Sequence, residues 1–341
     1  MKHANIAFFV PHAGCPHQCS FCDQRAISGQ AQPPSPEEVK KTLLEALPAV
    51  QNRTETEIAF FGGSFTAIER RTMISLLEAA APFVGPDRFS GIRISTRPDA
   101  VDLEILSILR TYHVTSVELG AQSMDDRVLT ANRRGHTAGD VRRASRLIQK
   151  SGFSLGLQMM TGLYQDTDAG AWQTAQELAR LRPDTMRIYP TVVLRGTELA
   201  RRFQDGSYHP PTLEKTIPLC AHLLRYFALH DIQVIRLGLH ANREIEGKIL
   251  GGAYHPALRE LCEGELLYSE MRDLLRASEP GSYQVSVHPS MISRIIGHGR
   301  RNVTRLQALG YRLSVRPDAA LSVSDLKIQG AQSAAGRGAA R

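Results

Sequence analysis

The sequence predicts an α/β protein, built mainly as a partial (β/α)6 barrel of parallel strands, and three observations predict it. Short runs rich in β-branched and aromatic residues recur at residues 6–10, 57–61, 92–96, 116–120, 154–160 and 185–189. Between them, apolar residues fall at helical spacing: Val39, Leu43, Leu44 and Leu47, then Ile74 and Leu77, Leu103, Leu106 and Leu109, Val141, Ala144, Leu147 and Ile148, and Ala171, Ala175 and Leu178. The length of 341 residues, 42% of them hydrophobic, suffices for one large core and a small second one. Strands alternating with helices imply parallel pairing with helical crossovers. In such barrels, chemistry gathers where strand C-termini open into loops.

The barrel is expected over residues 1–200. Gly206, Pro210 and Pro211 then break the pattern. A helix at 212–229 and a strand at 233–237 open a C-terminal α/β extension expected over 201–282. A smaller βααβ unit is expected over 283–320: strand 283–287, helix 290–296, the turn Gly297-His298-Gly299-Arg300, helix 302–309 and strand 311–315. Residues 321–341 read as a flexible tail, since the stretch after Gly330 is too poor in apolar surface to order itself.

Lys and Arg number 41 against 34 Asp and Glu, for a formal charge of +7 and a pI near 9.3. This excess accommodates an anionic partner, although codon usage in a GC-rich genome would favour Arg equally. No stretch approaches the roughly 18 apolar residues of a membrane helix, so a soluble, cytoplasmic protein is expected. Five cysteines is an odd number, and three of them crowd into residues 15–22. That arithmetic is wrong for a disulfide framework and right for reduced thiolates on a metal or cluster. Cys220 and Cys262 stand apart and read as buried apolar side chains.

The most informative motif follows the first strand: Gly14-Cys15-Pro16-His17-Gln18-Cys19-Ser20-Phe21-Cys22, a C-x3-C-x2-C run. Three thiolates can each ligate one iron of a cubane and leave the fourth iron open, which marks a catalytic rather than a closed site. The competing reading is a zinc loop with a distant fourth ligand such as His12 or His17. The second strand is followed by Phe60-Phe61-Gly62-Gly63-Ser64-Phe65-Thr66, where paired glycines let backbone approach a ligand. Taken alone, a Gly-Gly pair is equally a plain turn.

The cysteine spacing resembles the radical S-adenosylmethionine (SAM) superfamily, whose members have a partial TIM-like barrel. Four further segments resemble the radical SAM region of the Elongator catalytic subunit and its bacterial relatives: Arg93-Ile94-Ser95-Thr96-Arg97-Pro98-Asp99, Glu118-Leu119-Gly120-Ala121-Gln122-Ser123, Arg134-Gly135-His136-Thr137, and Ile188-Tyr189-Pro190-Thr191 with Arg195-Gly196-Thr197. This resemblance spans roughly residues 6–240. It implies a [4Fe–4S] cluster on Cys15, Cys19 and Cys22, with SAM on the open iron and reductive cleavage of SAM to a 5′-deoxyadenosyl radical. Carried over by position, SAM would meet Phe21 at its adenine and Gly62, Gly63 and Ser64 at its amino group. Ser95 and Gln122 would meet its ribose and Arg134 its carboxylate, with Gln158 as a further contact. Ser and Gln suit hydroxyls, and Arg can fork a carboxylate. Read without the family pattern, Phe21 is core, Arg133 and Arg134 are a solvated basic face, and His136 is a structural histidine.

Elongator catalytic subunits join this module to an acetyltransferase domain and modify the wobble uridine of tRNA. The roughly one hundred residues after His240 are expected to be too few for that domain, which leaves the transferred group open. The βααβ unit instead resembles a K-homology RNA-binding motif, whose loop clamps backbone nucleotides. Arg300 stands where that loop has its final glycine, and a helical hairpin with a glycine turn is the competing reading. Three functions follow. The first is a radical SAM enzyme modifying tRNA, with tRNA and an electron donor protein as partners and neither membrane nor DNA involved. The others are a radical SAM enzyme acting on a small molecule or cofactor precursor, and a non-catalytic Fe–S RNA-binding protein.

Overall fold

A seven-stranded sheet, parallel throughout, organises the first of the two units into which the chain divides, residues 1–216 with 226–256. The computed structural model describes residues 4–11, 15, 18–23, 27, 32–240, 243–323 and 325–330. The unit begins with β1 (Ala4–Phe9), α1 (Pro36–Ala49), β2 (Thr56–Phe61), α2 (Arg70–Ala80), β3 (Gly91–Thr96), α3 (Leu103–Thr111) and β4 (Val114–Gln122). It continues with α4 (Asp126–Ala131), α5 (Ala138–Lys150), β5 (Ser154–Thr161), α6 (Asp168–Arg180) and β6 (Thr185–Pro190). Then come β7 (Val192–Leu194), α7 (Glu198–Gln204), α8 (Leu213–Ala228), β8 (Gln233–Leu237), α9 (Arg243–Glu246) and β9 (Ile249–Gly252). The sheet order β1-β2-β3-β4-β5-β6-β8 is a half-barrel, and β7 and β9 form a separate antiparallel ribbon.

Strands covered on both faces must be apolar almost continuously, and β2 is buried at every position but its last. Ile58, Ile92, Ile94, Val117, Leu119, Leu155, Leu157, Met186 and Ile188 make up the core. Each such side chain stabilises the fold by about 1.5–3 kcal/mol through burial. Helix starts are set locally. Ser35 with Glu38 and Thr137 with Asp140 form capping boxes on α1 and α5. Asp102 and Thr167 accept from the first turns of α3 and α6, each cap contributing about 1 kcal/mol.

One expectation is corrected. The strand at 233–237 does not belong to an extension beside the barrel: it pairs with β6 from Thr185↔Gln233 to Ile188↔Leu237 and is the seventh strand of the sheet. The proline-rich break before α8 therefore lies within the crossover from β6 to β8.

The second unit comprises residues 217–225, within α8, and residues from 257 onward. It contains α10 (Leu258–Leu275), β10 (Gly281–Val287), α11 (Ile292–Ile296), α12 (Arg301–Ala308), β11 (Tyr311–Pro317) and β12 (Leu326–Gly330). Strand β10 pairs parallel with β11 and antiparallel with β12, around a core of Tyr268, Met271, Leu275, Val285, Val287, Met291, Ile295 and Leu306. The βααβ order stands as expected, but β12 falls in the stretch read as tail. Leu326 and Ile328 alternate onto this core, which orders them. Residues 331–341 lie outside the described residues. Cys220 and Cys262 are fully buried. The neighbouring Cys220 thiol, together with burial, pushes the Cys262 thiol far above the ordinary thiol range. Among the described residues, no helix is long and apolar enough to cross a membrane.

Candidate functional site

The cysteine loop leaves the C-terminal end of β1 and is pinned by a neighbour that sequence reading missed. The Ser20 hydroxyl donates to Asn132 Oδ1 at 2.9 Å, and the Ser20 amide donates to the Asn132 carbonyl at 3.1 Å. Asn132 is fully buried, and its Nδ2 donates to the carbonyls of Val128 and Tyr164 at 2.8 and 2.9 Å. From the other side, the Leu199 amide donates to the Ser20 carbonyl at 2.7 Å. The loop is thus clamped between the end of α4 and the start of α7. Cys19 is buried and Cys15 and Cys22 are half-buried. Among the described residues no three His, Cys, Asp or Glu side chains gather into a single-ion site. His12, Gly14, Pro16 and His17 lie outside the described residues, so the zinc alternative has no structural account.

Arg134 reaches this loop from the segment between α4 and α5. Its Nη1 donates to Cys19 Sγ at 3.1 Å and its Nη2 to the Gly120 carbonyl at 2.7 Å. The side chain is 7% exposed and is no solvated face. Burial, then the neighbouring Cys19, pushes the Cys15 thiol up, while Arg134 and Arg97 act in the opposite direction. Cys15 and Cys19, beside two buried guanidinium groups, are a donor set matched to an anionic, thiolate-held cluster.

The loop after β2 lies next to this. Gly62 and Gly63 both have positive φ, 80° and 57°, which favours glycine at both positions. Ser64 is fully buried; its hydroxyl pairs with Thr96 Oγ1 at 2.8 Å and accepts from the Arg97 amide at 3.2 Å. It joins the ends of β2 and β3. At the end of β4, the register shifts between Gly120 and Gln122, and Gln122 adopts φ 67°. Such bulges re-aim side chains beside functional sites. Arg97, Gln122, Arg134 and His136 are all buried, and Arg97 Nη1, Gln122 Oε1, Arg134 Nε and His136 Nδ1 have no hydrogen-bond partner. Buried polar atoms without partners are rare and costly. A polar group with both donors and acceptors fits among them, and the methionyl end of SAM is of that kind.

Ser95 and Gln158 lie elsewhere on the inner face, joined through a carboxylate. Glu118, in the middle of β4, accepts from Arg187 Nε and Nη2 at 2.7 and 2.9 Å and from Arg93 Nη1 at 3.1 Å. It also accepts from Gln158 Nε2 at 3.0 Å and Ser95 Oγ at 3.3 Å. Arg93 Nε donates to Glu57 at 2.6 Å. Although burial would raise it, the Glu118 carboxyl is held below its ordinary range by Arg187 and Arg93. Phe21 packs half-buried among apolar side chains that include Val128, Met160 and Leu199.

The structure therefore brings Arg134 to the cysteine loop, sets Gln122 at the bulged end of β4, seats Ser95 and Gln158 on Glu118, and sets Phe21 in apolar surroundings. Sequence reading missed Asn132, Arg97 and the ionic group on the strands. Charges at Arg93, Glu118 and Arg187, inside runs that pattern as buried strands, were the available signal, since an unpaired buried charge is not tolerated.

Residues 9–178 match the family profile described as the radical SAM superfamily, and residues 183–268 match the radical SAM C-terminal domain. The chain is 32% identical to bovine Elongator complex protein 3 over 188 residues, 54% of this chain and 32% of that protein. It is 30% identical to the tRNA uridine(34) acetyltransferase of Methanocaldococcus jannaschii over 132 residues, 38% of this chain and 24% of that protein. The chain thus spans a third or less of these two relatives. An N-terminally truncated archaeal Elp3 of Methanocaldococcus infernus shares the fold, with a TM-score of 0.61 at 21% identity over 82% of this chain and 67% of that one.

Proposed function

We propose, from the premise that the chain belongs to the radical SAM superfamily, that its substrate is tRNA and that it modifies a wobble-position uridine. The protein is a radical SAM enzyme, and its cofactors are a [4Fe–4S] cluster and SAM. Bound together, these supply one-electron cleavage of SAM and a carbon radical for hydrogen abstraction. In this reading Cys15, Cys19 and Cys22 hold three irons, and Arg134 compensates the charge at Cys19. Gly62, Gly63, Ser64, Gln122 and Arg134 surround the methionyl end of SAM; Ser95 and Gln158 face the ribose, and Phe21 flanks the adenine. The half-barrel excludes water from the reacting centre. A separate electron donor protein reduces the cluster.

The observation that carries the tRNA reading is the similarity to Elongator complex protein 3 and to a tRNA uridine(34) acetyltransferase. The second unit supports it. Its loop runs through Gly297 (φ 79°), Gly299 (φ 58°) and Arg300 (φ 64°). A Cβ at Gly297 would come within 2.8 Å of the Asn302 side chain, whereas one at Gly299 would meet nothing within 4 Å. Asn302, 2% exposed, braces the loop by donating to the carbonyls of Gly264 at 2.9 Å, Ile295 at 3.2 Å and Arg294 at 3.3 Å. Arg300 is left exposed at the start of α12, where free amides and positive charge favour phosphate. The test is the nucleoside profile of tRNA from cells with and without the gene: loss of a modified uridine supports the reading, and an unchanged profile removes it. Arg300→Glu with Arg301→Glu should weaken tRNA binding and lower its salt slope by roughly one to two units.

A further inference from the structure

We propose that the outer face of the three-stranded sheet in the second unit is a docking surface for RNA backbone, separate from the loop at residues 297–300; the proposal rests on the tRNA reading. The inner face is fixed by the core, since Val285, Val287, Leu313, Val315, Leu326 and Ile328 all pack with side chains of α10, α11 and α12. Side chains alternate along a strand, so the residues between these point the other way. Register sets them in rows. Ser286, on the central strand β10, pairs with Arg316 on one side and Lys327 on the other. Two positions back, Gln284 pairs with Ser314 and Gln329, and Ser282 pairs with Arg312. The positions on β11 and β12, and Ser282, are exposed; Gln284 and Ser286 are half-buried.

Neither a carboxylate nor an apolar side chain interrupts these rows. Among the described residues, Arg312, Arg316 and Lys327 have no ion-pair partner; Asp318 and Asp325 lie just beyond the strand ends and pair with none of them. Arg312 and Arg316 stand about 13 Å apart along β11, and Arg316 and Lys327 about 10 Å apart across β10. A guanidinium forks two phosphate oxygens, and an ammonium adds a point charge. Ser and Gln supply hydrogen bonds to phosphate oxygens and to the 2′-hydroxyls of RNA. A protein partner would need the aromatic and aliphatic centre of an interface, and unpaired bases would need a ring to stack on. This face offers neither, so it contacts phosphate and ribose and is blind to sequence. The loop at residues 297–300 joins the two helices on the other side of the sheet, and the two surfaces therefore engage different parts of a folded RNA.

The test measures binding of the full chain to unmodified tRNA by fluorescence anisotropy from about 50 to 200 mM salt, with the urea midpoint as the folding control. Arg312→Gln, Arg316→Gln and Lys327→Gln combined should weaken binding by about 10-fold or more at the low end and lower the salt slope by roughly two to three units. If that variant does not fold, Ser314→Glu with Gln329→Glu, which places negative charge between the cations, is read the same way. A folded variant with wild-type affinity and slope would overturn the proposal and leave the tRNA reading in place, whereas a wild-type chain that binds no tRNA would remove both. Loss of polyglutamate binding beside unaltered tRNA binding would assign the face to an acidic protein and overturn the proposal as well.

Discussion

Arg134 stands between Cys19 and Gly120, donating at 3.1 Å to the sulfur and at 2.7 Å to the carbonyl. A charged hydrogen bond to a cluster sulfur stabilises the reduced, more negative state and raises the potential. Arg134→Met should lower the cluster midpoint by roughly 40 mV, taking about 1 kcal/mol for the bond in a one-electron couple. An EPR-monitored redox titration without SAM measures it; an unmoved midpoint would separate Arg134 from the cluster.

Asn132 bears on the same loop from beneath. Asn132→Ala strands the Ser20 hydroxyl and the Tyr164 carbonyl, at a cost of about 2 kcal/mol. Because Ser20 sits between two of the thiols, iron loading after reconstitution should fall as well. Full loading at wild-type rate would mean the loop does not need this anchor.

Glu118 pairs with both Arg93 and Arg187 inside the strands, and Glu57 supplies the second negative charge at Arg93. Glu118→Gln leaves two buried guanidinium groups with a single carboxylate, Glu57, between them and should destabilise the protein by about 3–5 kcal/mol, read by urea denaturation. A loss below about 1 kcal/mol would show that solvent reaches this group. Replacing Glu118 and Arg187 together by apolar residues should cost less than the single change, because Arg93 keeps its partner Glu57.

The histidine held neutral sets an acid limit. The folded-state pKa of His136 is lowered to about 4 from 6.5, so between these values the unfolded chain binds the proton and the folded chain does not. Stability should therefore fall as pH drops from 6.5 towards 4, by up to about 3 kcal/mol from this residue. In His136→Gln that part of the slope should vanish, and persistence of the full slope would assign it to other groups.

Much of this was legible in the sequence, and the remainder was hidden for physical reasons. Strand β8 was readable as a strand from its β-branched pair Val234 and Ile235 followed by Leu237, but its partner was not, since pairing is a long-range choice that the loop through Pro210 and Pro211 obscures. The cysteine spacing announced its chemistry because ligands on one short loop are local in sequence. Arg97 and His136 were quoted within motifs yet given no site role, since a residue's unpartnered atoms emerge only after folding has placed its neighbours. Ser95 and Gln158 were recognised by residue type, while the carboxylate that seats them, Glu118, looked like one charge among many.

The most direct test is product analysis on protein reconstituted with iron and sulfide under strict anaerobiosis. With dithionite and SAM, the account predicts about four irons per chain, with 5′-deoxyadenosine and methionine formed in equal amounts. Substituting any one of Cys15, Cys19 and Cys22 should abolish both products. A chain that carries its full iron, binds SAM and yields no 5′-deoxyadenosine would contradict the account.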